Sequence, residues 1–285
     1  MSVRDVIQVI GATGKVGRQV VSRLVDAGAA VRALARDPGA AGLPAGVDVV
    51  RGDLARPETV EAALDGVSSV FLVWPFLTAD AAPAVLDVVR RHARHVVYLS
   101  SMGGSDGRGG KTAAAGFHAD MERLIEKSGL AWTFLRPSGF AANTLGWAAQ
   151  IRAGGVVHWP HGAASRSLIH ERDIAGVAAL ALTGDGHDGA RYLLTGPERI
   201  TQVEQVAAIG EAIGRHLRYE EIPSEPVRDQ LLASGWTPEF ANSALQAWAA
   251  FVNEPEVVTT TVHELTGRPA RRFQEWATDH ADDFR

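Results

Sequence analysis

Short apolar runs separated by amphipathic stretches recur through the first two-thirds of the chain. Val6–Ile10, Ala30–Ala35, Val47–Val50, Ser69–Val73, His95–Leu99, Ala131–Leu135 and Tyr192–Leu194 are mostly Val, Ile, Leu and Phe without polar alternation. That pattern predicts strands covered on both faces. Val16–Ala27, Pro57–Leu64, Ala81–His92, Ala114–Ser128 and Ile174–Leu182 repeat apolar positions at helical spacing instead. Strand and helix in alternation predict an α/β architecture, a doubly wound parallel sheet with helices on both faces. Beyond Gly196 the texture changes. Val203–Ile213, Val227–Ala233, Pro238–Val252 and Arg271–Ala281 read as helices, with one strand-like run at Arg218–Ile222. Gly139–Ser167, rich in Trp, Gly and His, also stands outside the alternation.

The first strand runs into Gly11-Ala-Thr13-Gly14-Lys15-Val16-Gly17, and a helix follows. Glycines three apart at such a junction form a cradle for a dinucleotide pyrophosphate, because free N–H groups and the helix dipole attract the phosphates. Side chains at Gly11 or Gly14 would block that approach, and one at Gly17 would push the helix off the sheet. A glycine triplet alone is weak evidence; the strand before it and the helix after it supply the required context. The expected organisation is a Rossmann dinucleotide-binding core over residues 1–138, continued by 168–198. Residues 139–167 and 199–285 then form a smaller, mostly helical C-terminal substrate lobe.

Arg36 stands at the tip of the second strand. An NAD-selective site places Asp or Glu there, whereas an NADP site needs a cation for the 2′-phosphate. Lys15 is placed to approach the same phosphate, and Asp37, before Pro38, starts a turn. Asp53-Leu54 follows the third strand, where the carboxylate either accepts from the adenine amino group or caps a turn. With Trp74 and Ser100 after the fourth and fifth strands, these residues make up the expected NADP(H) site.

Gly-Ala-Thr-Gly-Lys-Val-Gly, Val31-Arg-Ala-Leu-Ala-Arg-Asp-Pro38, Arg51-Gly-Asp-Leu54 and Trp132-Thr-Phe-Leu-Arg-Pro-Ser-Gly-Phe140 together resemble the NmrA-like atypical short-chain dehydrogenase/reductases. So does the tail Thr266-Gly-Arg-Pro269 with Phe273 and Trp276. The resemblance spans nearly the whole chain. It implies a Rossmann core with a small substrate lobe, NADP(H) preference and, in several members, reduction of quinones or related conjugated carbonyls. Other members bind the cofactor without turnover and act as redox sensors. Ordinary short-chain dehydrogenases use Tyr-x-x-x-Lys, but here Met102, Gly196 and Pro223 stand four residues after the three tyrosines. Where the dyad belongs, the helix carries His118 and Glu122 one turn apart. The resemblance places this stretch at the nicotinamide end of the cleft.

His118 is accordingly a candidate to orient the ribose or donate a proton, with Glu122 either fixing its tautomer or forming a helical surface pair. Ser100 and Ser101 end the fifth strand, where either can hydrogen-bond a carbonyl, and Ser101 joins His118 as a catalytic candidate. Phe76, Met102, His118, Phe140, Asn143 and Trp147 are the expected substrate pocket; Trp159 is a further wall candidate. Gly103–Lys111 is expected to form a mobile loop beside the cleft. Its closing Gly-Lys-Thr fails the nucleotide P-loop spacing because Ser105 sits where the first glycine is required.

Composition narrows the classes. With 285 residues, 46% hydrophobic and 21% charged, the chain can bury a full core. A net charge of −5 points away from nucleic acid and anionic membranes. No cysteine is present, which excludes disulfides, a catalytic thiol and thiolate metal sites. His158/His161 and His92/His95 lack a neighbouring carboxylate cluster in sequence, so no metal is expected. The first strand leaves no room for a signal peptide, no apolar run reaches membrane-spanning length, and a cytoplasmic monomer or homodimer is expected. The expected function is NADPH-dependent hydride transfer to a quinone or related conjugated cyclic carbonyl. Alternatives are a non-catalytic NADP(H) sensor and a tailoring reductase of a polycyclic natural product.

Overall fold

A computed structural model of the chain describes residues 5–102 and 113–285. In chain order the first elements are β1 (Val6–Ile10), α1 (Lys15–Asp26), β2 (Ala30–Ala35), β3 (Asp48–Arg51), α2 (Pro57–Glu61), β4 (Val67–Leu72), α3 (Ala82–His92) and β5 (His95–Leu99). Next come α4 (Ala113–Lys127), β6 (Ala131–Pro137), α5 (Ala148–Gly154), β7 (Val156–Trp159), β8 (Ser165–Arg166), α6 (Glu171–Thr183) and β9 (Ala190–Leu194). The remainder is β10 (Ile200–Thr201), α7 (Gln202–Ile213), β11 (Arg218–Glu221), α8 (Ser224–Ala233), α9 (Pro238–Ala250), α10 (Thr261–Thr266), α11 (Phe273–Asp279) and α12 (Ala281–Phe284). The described residues fall into two compact units, one within 1–106, 115–137 and 171–193, the other within 107–114, 138–170 and 194–285.

The first unit is built on a seven-stranded sheet in the order β3-β2-β1-β4-β5-β6-β9. From β3 to β6 every neighbouring pair is parallel. The order turns back between β1 and β4, and in doubly wound sheets that reversal opens a crevice at the strands' carboxyl ends. Helix α1 buries Val16, Val20, Val21 and Leu24, one stripe at helical spacing, and α6 packs against it. Helix α3 carries its proline in the first turn, where no N–H is needed, and Arg90, Arg91 and His92 in the last, where cations meet the helix dipole. Beside the sheet, Leu86, Tyr98, Met121, Ile125 and Phe134 belong to one continuous apolar cluster.

The second unit is helical with two small sheets. β7 and β11 pair in parallel from Val156↔Arg218 to Trp159↔Glu221, and β8 and β10 pair antiparallel. Helix α7 starts at Thr201, whose side chain and Glu204 cap each other's backbone, and ends on left-handed Gly214. Its core gathers Trp147, Ile151, Ile209, Phe273, Trp276 and Phe284.

Gly139–Ser167, outside the alternation, holds a 3-10 stretch at Ala141–Trp147, then α5 and β7. Two sequence expectations need correction. Arg271–Ala281 is not one helix, because the chain breaks at His280 (φ −108°, ψ 14°) between α11 and α12. Phe273, Trp276, Ala277, Ala281 and Phe284 all stay buried, so the apolar spacing runs on across a backbone break. Pro57–Leu64 is an α-helix only to Glu61 and tightens into a 3-10 turn over Ala62–Leu64. Helix α10, six residues with only Val262 buried, leaves no periodic signal. The expected Gly103–Lys111 loop lies outside the described residues. Among the described residues no helix is long and apolar enough to cross a membrane.

Trp276 is 0% exposed, with Phe273 at 5.2 Å, His280 stacked at 4.6 Å and Phe284 edge-on at 6.1 Å between ring centres. Trp276→Ala is expected to cost about 3–5 kcal/mol, as for other buried aromatics. Urea unfolding measures it, and a loss under about 1 kcal/mol would contradict this core assignment.

Candidate cofactor and substrate sites

Strand register assembles the candidate cofactor edge. Ile10 lies opposite Leu34 on β2 and Leu72 on β4, Ala35 opposite Arg51, and Leu72 opposite Tyr98. The residues that follow each strand therefore fall along one edge of the sheet: Gly11, Arg36, Asp53, Trp74 and Ser100. Gly11 adopts φ +84°, and a Cβ there would meet Val73 at 2.7 Å. At Gly17 a Cβ would lie 2.0 Å from the Gly11 carbonyl oxygen, so the helix reaches this position only with bare backbone. Gly14 caps α1 in extended conformation and no side chain closes that helix end. First-turn N–H groups without a side-chain cap suit phosphate oxygens, so the residues present fit a dinucleotide.

Arg18 completes the turn. Its Nε donates to the Thr13 carbonyl at 3.0 Å, while Nη1 and Nη2 donate to Gly42 and Ala41 carbonyls at 2.7 and 2.8 Å. Sequence reasoning passed over Arg18, since an arginine on a helix's polar face looks like any solvated one. Lys15 and Arg36 are exposed, and Arg36 makes no hydrogen bond or ion pair among the described residues. Asp37 Oδ1 accepts from the Gly39 N–H at 3.1 Å and so shapes the turn after β2. Asp53 Oδ1 accepts from the Ala55 N–H at 3.0 Å and holds the turn after β3, with Leu54 buried behind it. Trp74 is buried, its indole N–H donating to the Thr78 carbonyl at 2.8 Å and its ring edge-on to Phe76 at 5.1 Å.

A buried polar network lies behind β5. The Ser100 hydroxyl donates to Glu122 Oε1 at 2.6 Å, and Arg136 reaches the same carboxylate through Nε at 2.9 Å and Nη2 at 2.6 Å. The Glu122 and Arg136 side chains are 2% and 3% exposed. Glu122 thus neither fixes His118 nor forms a surface pair; it joins α4 to β5 and β6. The partner of His118 is Tyr98, with 2.7 Å from the phenol oxygen to Nδ1. Burial, aided by the Glu122 charge, pushes the Tyr98 phenol well above its usual range. Burial also holds His118 down to about 4, so both rings are neutral at physiological pH. Among the described residues the Tyr98 hydroxyl has no other partner, so its proton goes to Nδ1 and the His118 ring proton sits on Nε2. Ser101 and Met102 are partly exposed after β5, and the Met102 N–H donates to the Pro137 carbonyl at 2.9 Å.

In the second unit Phe140, Asn143, Trp147 and Trp159 line one hollow together with Trp248 and Arg166. Trp159 stands 6.2 Å from Trp147 and 5.5 Å from Trp248 between ring centres. Phe76, Met102 and His118 belong to the first unit. Trp248 and Arg166 were not anticipated: one sits in a helix that reads as core packing, the other in a segment without periodicity. His158 Nε2 lies 3.1 Å from Glu220, but no group of three metal-binding side chains occurs among the described residues.

Comparison with known proteins agrees with this geometry. A family model described as NAD(P)H-binding matches residues 11–185. A (4-alkanoyl-5-oxo-2,5-dihydrofuran-3-yl)methyl phosphate reductase of Streptomyces griseus is 41% identical over 98% of this chain and 99% of its own. An NAD(P)H azoreductase of Xenophilus azovorans is 35% identical over 98% and 99%. The structure of an NADPH-dependent quinone oxidoreductase from Escherichia coli, complexed with NADPH, superposes with a TM-score of 0.79 at 22% identity, covering 96% of this chain and 99% of that one. At that identity the likeness speaks for the fold.

The low His118 value has a measurable sign. An unfolded chain carries this histidine near its ordinary pKa of about 6.5, whereas the folded protein holds it to about 4. Between those values only the unfolded state takes up the proton, so stability falls as pH drops through that window. His118→Gln should flatten that part of the stability curve in urea unfolding at a series of pH values. An unchanged slope would mean that His118 is not held neutral.

Proposed function

The chain belongs to the NAD(P)H-binding family and is an NAD(P)H-dependent oxidoreductase; we propose that its donor is NADPH and its acceptor a quinone or related conjugated cyclic carbonyl. The glycine turn and the open end of α1 would hold the pyrophosphate, and Arg36 would take the 2′-phosphate that distinguishes NADPH. Asp53, Trp74 and Ser100 stand along the same sheet edge. When bound, the cofactor supplies a hydride, and the protein contributes binding, orientation and a proton source.

One observation carries the choice of acceptor. Tyr98, the tyrosine beside the cofactor edge, is fully buried, bonded to His118 and pushed up in pKa, and no lysine lies four residues beyond it. It is therefore unfit to protonate the strongly basic alkoxide of an isolated ketone. A quinone needs far less, because hydride addition leaves a delocalised anion near a phenol's pKa of about 10, which solvent can protonate and a neutral imidazole N–H can stabilise by a hydrogen bond. His118, with Nε2–H as its donor, is the candidate catalytic group, and Ser101 is a second donor for the carbonyl. The relatives support this reading. The Streptomyces griseus protein is named for a methyl phosphate of an unsaturated five-membered ring carrying an oxo group, and the Xenophilus azovorans protein for reduction of azo compounds.

Two measurements test the proposal. NADPH should bind more tightly than NADH, and Arg36→Ala should remove most of the difference, a loss of about 1.5–3 kcal/mol for hydrogen bonds to a charged group. Equal calorimetric affinity of the wild type for both cofactors would refute the role of Arg36. Purified protein should oxidise NADPH in the presence of naphthoquinones while leaving aliphatic ketones almost untouched. If NADPH binds and no quinone or enone is reduced, a cofactor-sensing protein becomes the better account.

A further inference from the structure

Arg166 is held from several sides within the second unit. Its Nη2 donates to Glu256 Oε1 at 2.5 Å, and its guanidinium carbon lies 4.6 Å from the centre of the Phe251 ring. A Cβ on Gly139 would come within 2.6 Å of that carbon, so this residue must be bare for the guanidinium to sit there. Glu256 is itself buried and also accepts the Ser167 N–H at 3.1 Å. Yet Arg166 Nε bonds to nothing, and among the described residues it is the one buried side-chain polar atom so left. Arg166 lines the hollow, and its unpaired Nε–H is met once a small turn of the side chain brings it to an acceptor that the hollow receives.

The other wall residues narrow what that acceptor is. Thr144 and Gln202 spend all their donor hydrogens on the backbone carbonyls of Ala141, Pro160 and His161. Arg166 is the only charged residue among the described lining, and its charge is already met by Glu256. An anion brought to the guanidinium would therefore sit beside the Glu256 carboxylate with no second cation to offset it. A carbonyl oxygen meets no such repulsion. Phe140, Trp147, Trp159 and Trp248 offer flat apolar surface for the ring that carries it.

We propose that this hollow is a subsite for a flat, uncharged ring compound, and that a ring carbonyl oxygen accepts a hydrogen bond from Arg166. The proposal deepens the reductase reading and rests on it for the claim that this ring is the substrate's; the binding itself requires no turnover.

Calorimetry without cofactor tests it with three probes: coumarin, a flat uncharged ring with a ring carbonyl; naphthalene, the same shape without one; and 1-naphthyl phosphate, an anion. Coumarin should bind at least about tenfold more tightly than naphthalene, as one good hydrogen bond to a charged group provides. It should also bind at least as well as the phosphate. Arg166→Met alone would strand the buried Glu256 charge, so the paired Arg166→Met, Glu256→Gln variant is compared, with thermal unfolding as the check on folding. In it the coumarin advantage should vanish. In the wild type, labelled at arginine, the Arg166 Nε–H resonance should move on adding coumarin and not naphthalene, a readout that needs no variant. Equal affinity for coumarin and naphthalene, much tighter binding of the phosphate, or an unmoved Nε–H resonance would each overturn the proposal. Arg166-dependent coumarin binding in a protein that oxidises no NADPH would uphold the subsite and remove the reductase reading. Quinone turnover without such binding would do the reverse.

Discussion

A methyl group at Gly17 would have to occupy space 2.0 Å from the Gly11 carbonyl oxygen, and the candidate cofactor edge depends on its absence. Because the helix starts against bare backbone, Val16 and Val20 are buried while the first turn of α1 remains without a side-chain cap. Arg18 uses all three of its nitrogens to tie this turn to the segment after β2. Gly11, with its left-handed conformation and its contact to Val73, fits the same turn against the end of β4. Parallel register then carries Arg36, Asp53, Trp74 and Ser100 to the same edge. One steric constraint thus positions groups drawn from five strands.

The second determinant is electrostatic. Glu122 and Arg136 are almost fully buried, and removing one partner of such a pair leaves an uncompensated charge, a loss of about 3–5 kcal/mol. Ser100 completes the set from β5, so two strands and a helix are joined through one carboxylate. The same enclosure that makes this pair consequential keeps the neighbouring Tyr98 and His118 uncharged. Structural support and the chemistry of the candidate site are two results of one dry environment.

The sheet was legible because its strands are short, largely apolar runs between amphipathic helices and its first turn needs glycine for a visible steric reason. The place of Arg36 was legible, as the exposed residue after β2. The charge network was not: Glu122 one turn after His118 suggests a local pair, whereas its true partner comes from the strand that follows the helix. Position and chemistry both pointed to His118, but burial moved it away from the titrating role that an exposed histidine would have. β7 is only four residues long and lies between Gly155 and Pro160, so its pairing with β11 leaves no pattern to read. The hollow draws on Phe140, Arg166 and Trp248, residues that only tertiary packing brings together, and a tryptophan on a helix reads as core until its neighbours are known.

The way the first unit is threaded bears on how the chain is made. Helix α6 packs on α1, yet the two are separated in the chain by residues 138–170 of the other unit. During synthesis from the N-terminus, α1 emerges early and waits for its covering helix until that intervening stretch has left the ribosome. Neither α6 nor β9 can be added to the sheet before then. A nascent chain halted just after β6 would hold most of the cofactor edge but present the apolar stripe of α6's partner uncovered, making it a substrate for chaperones rather than a folded fragment.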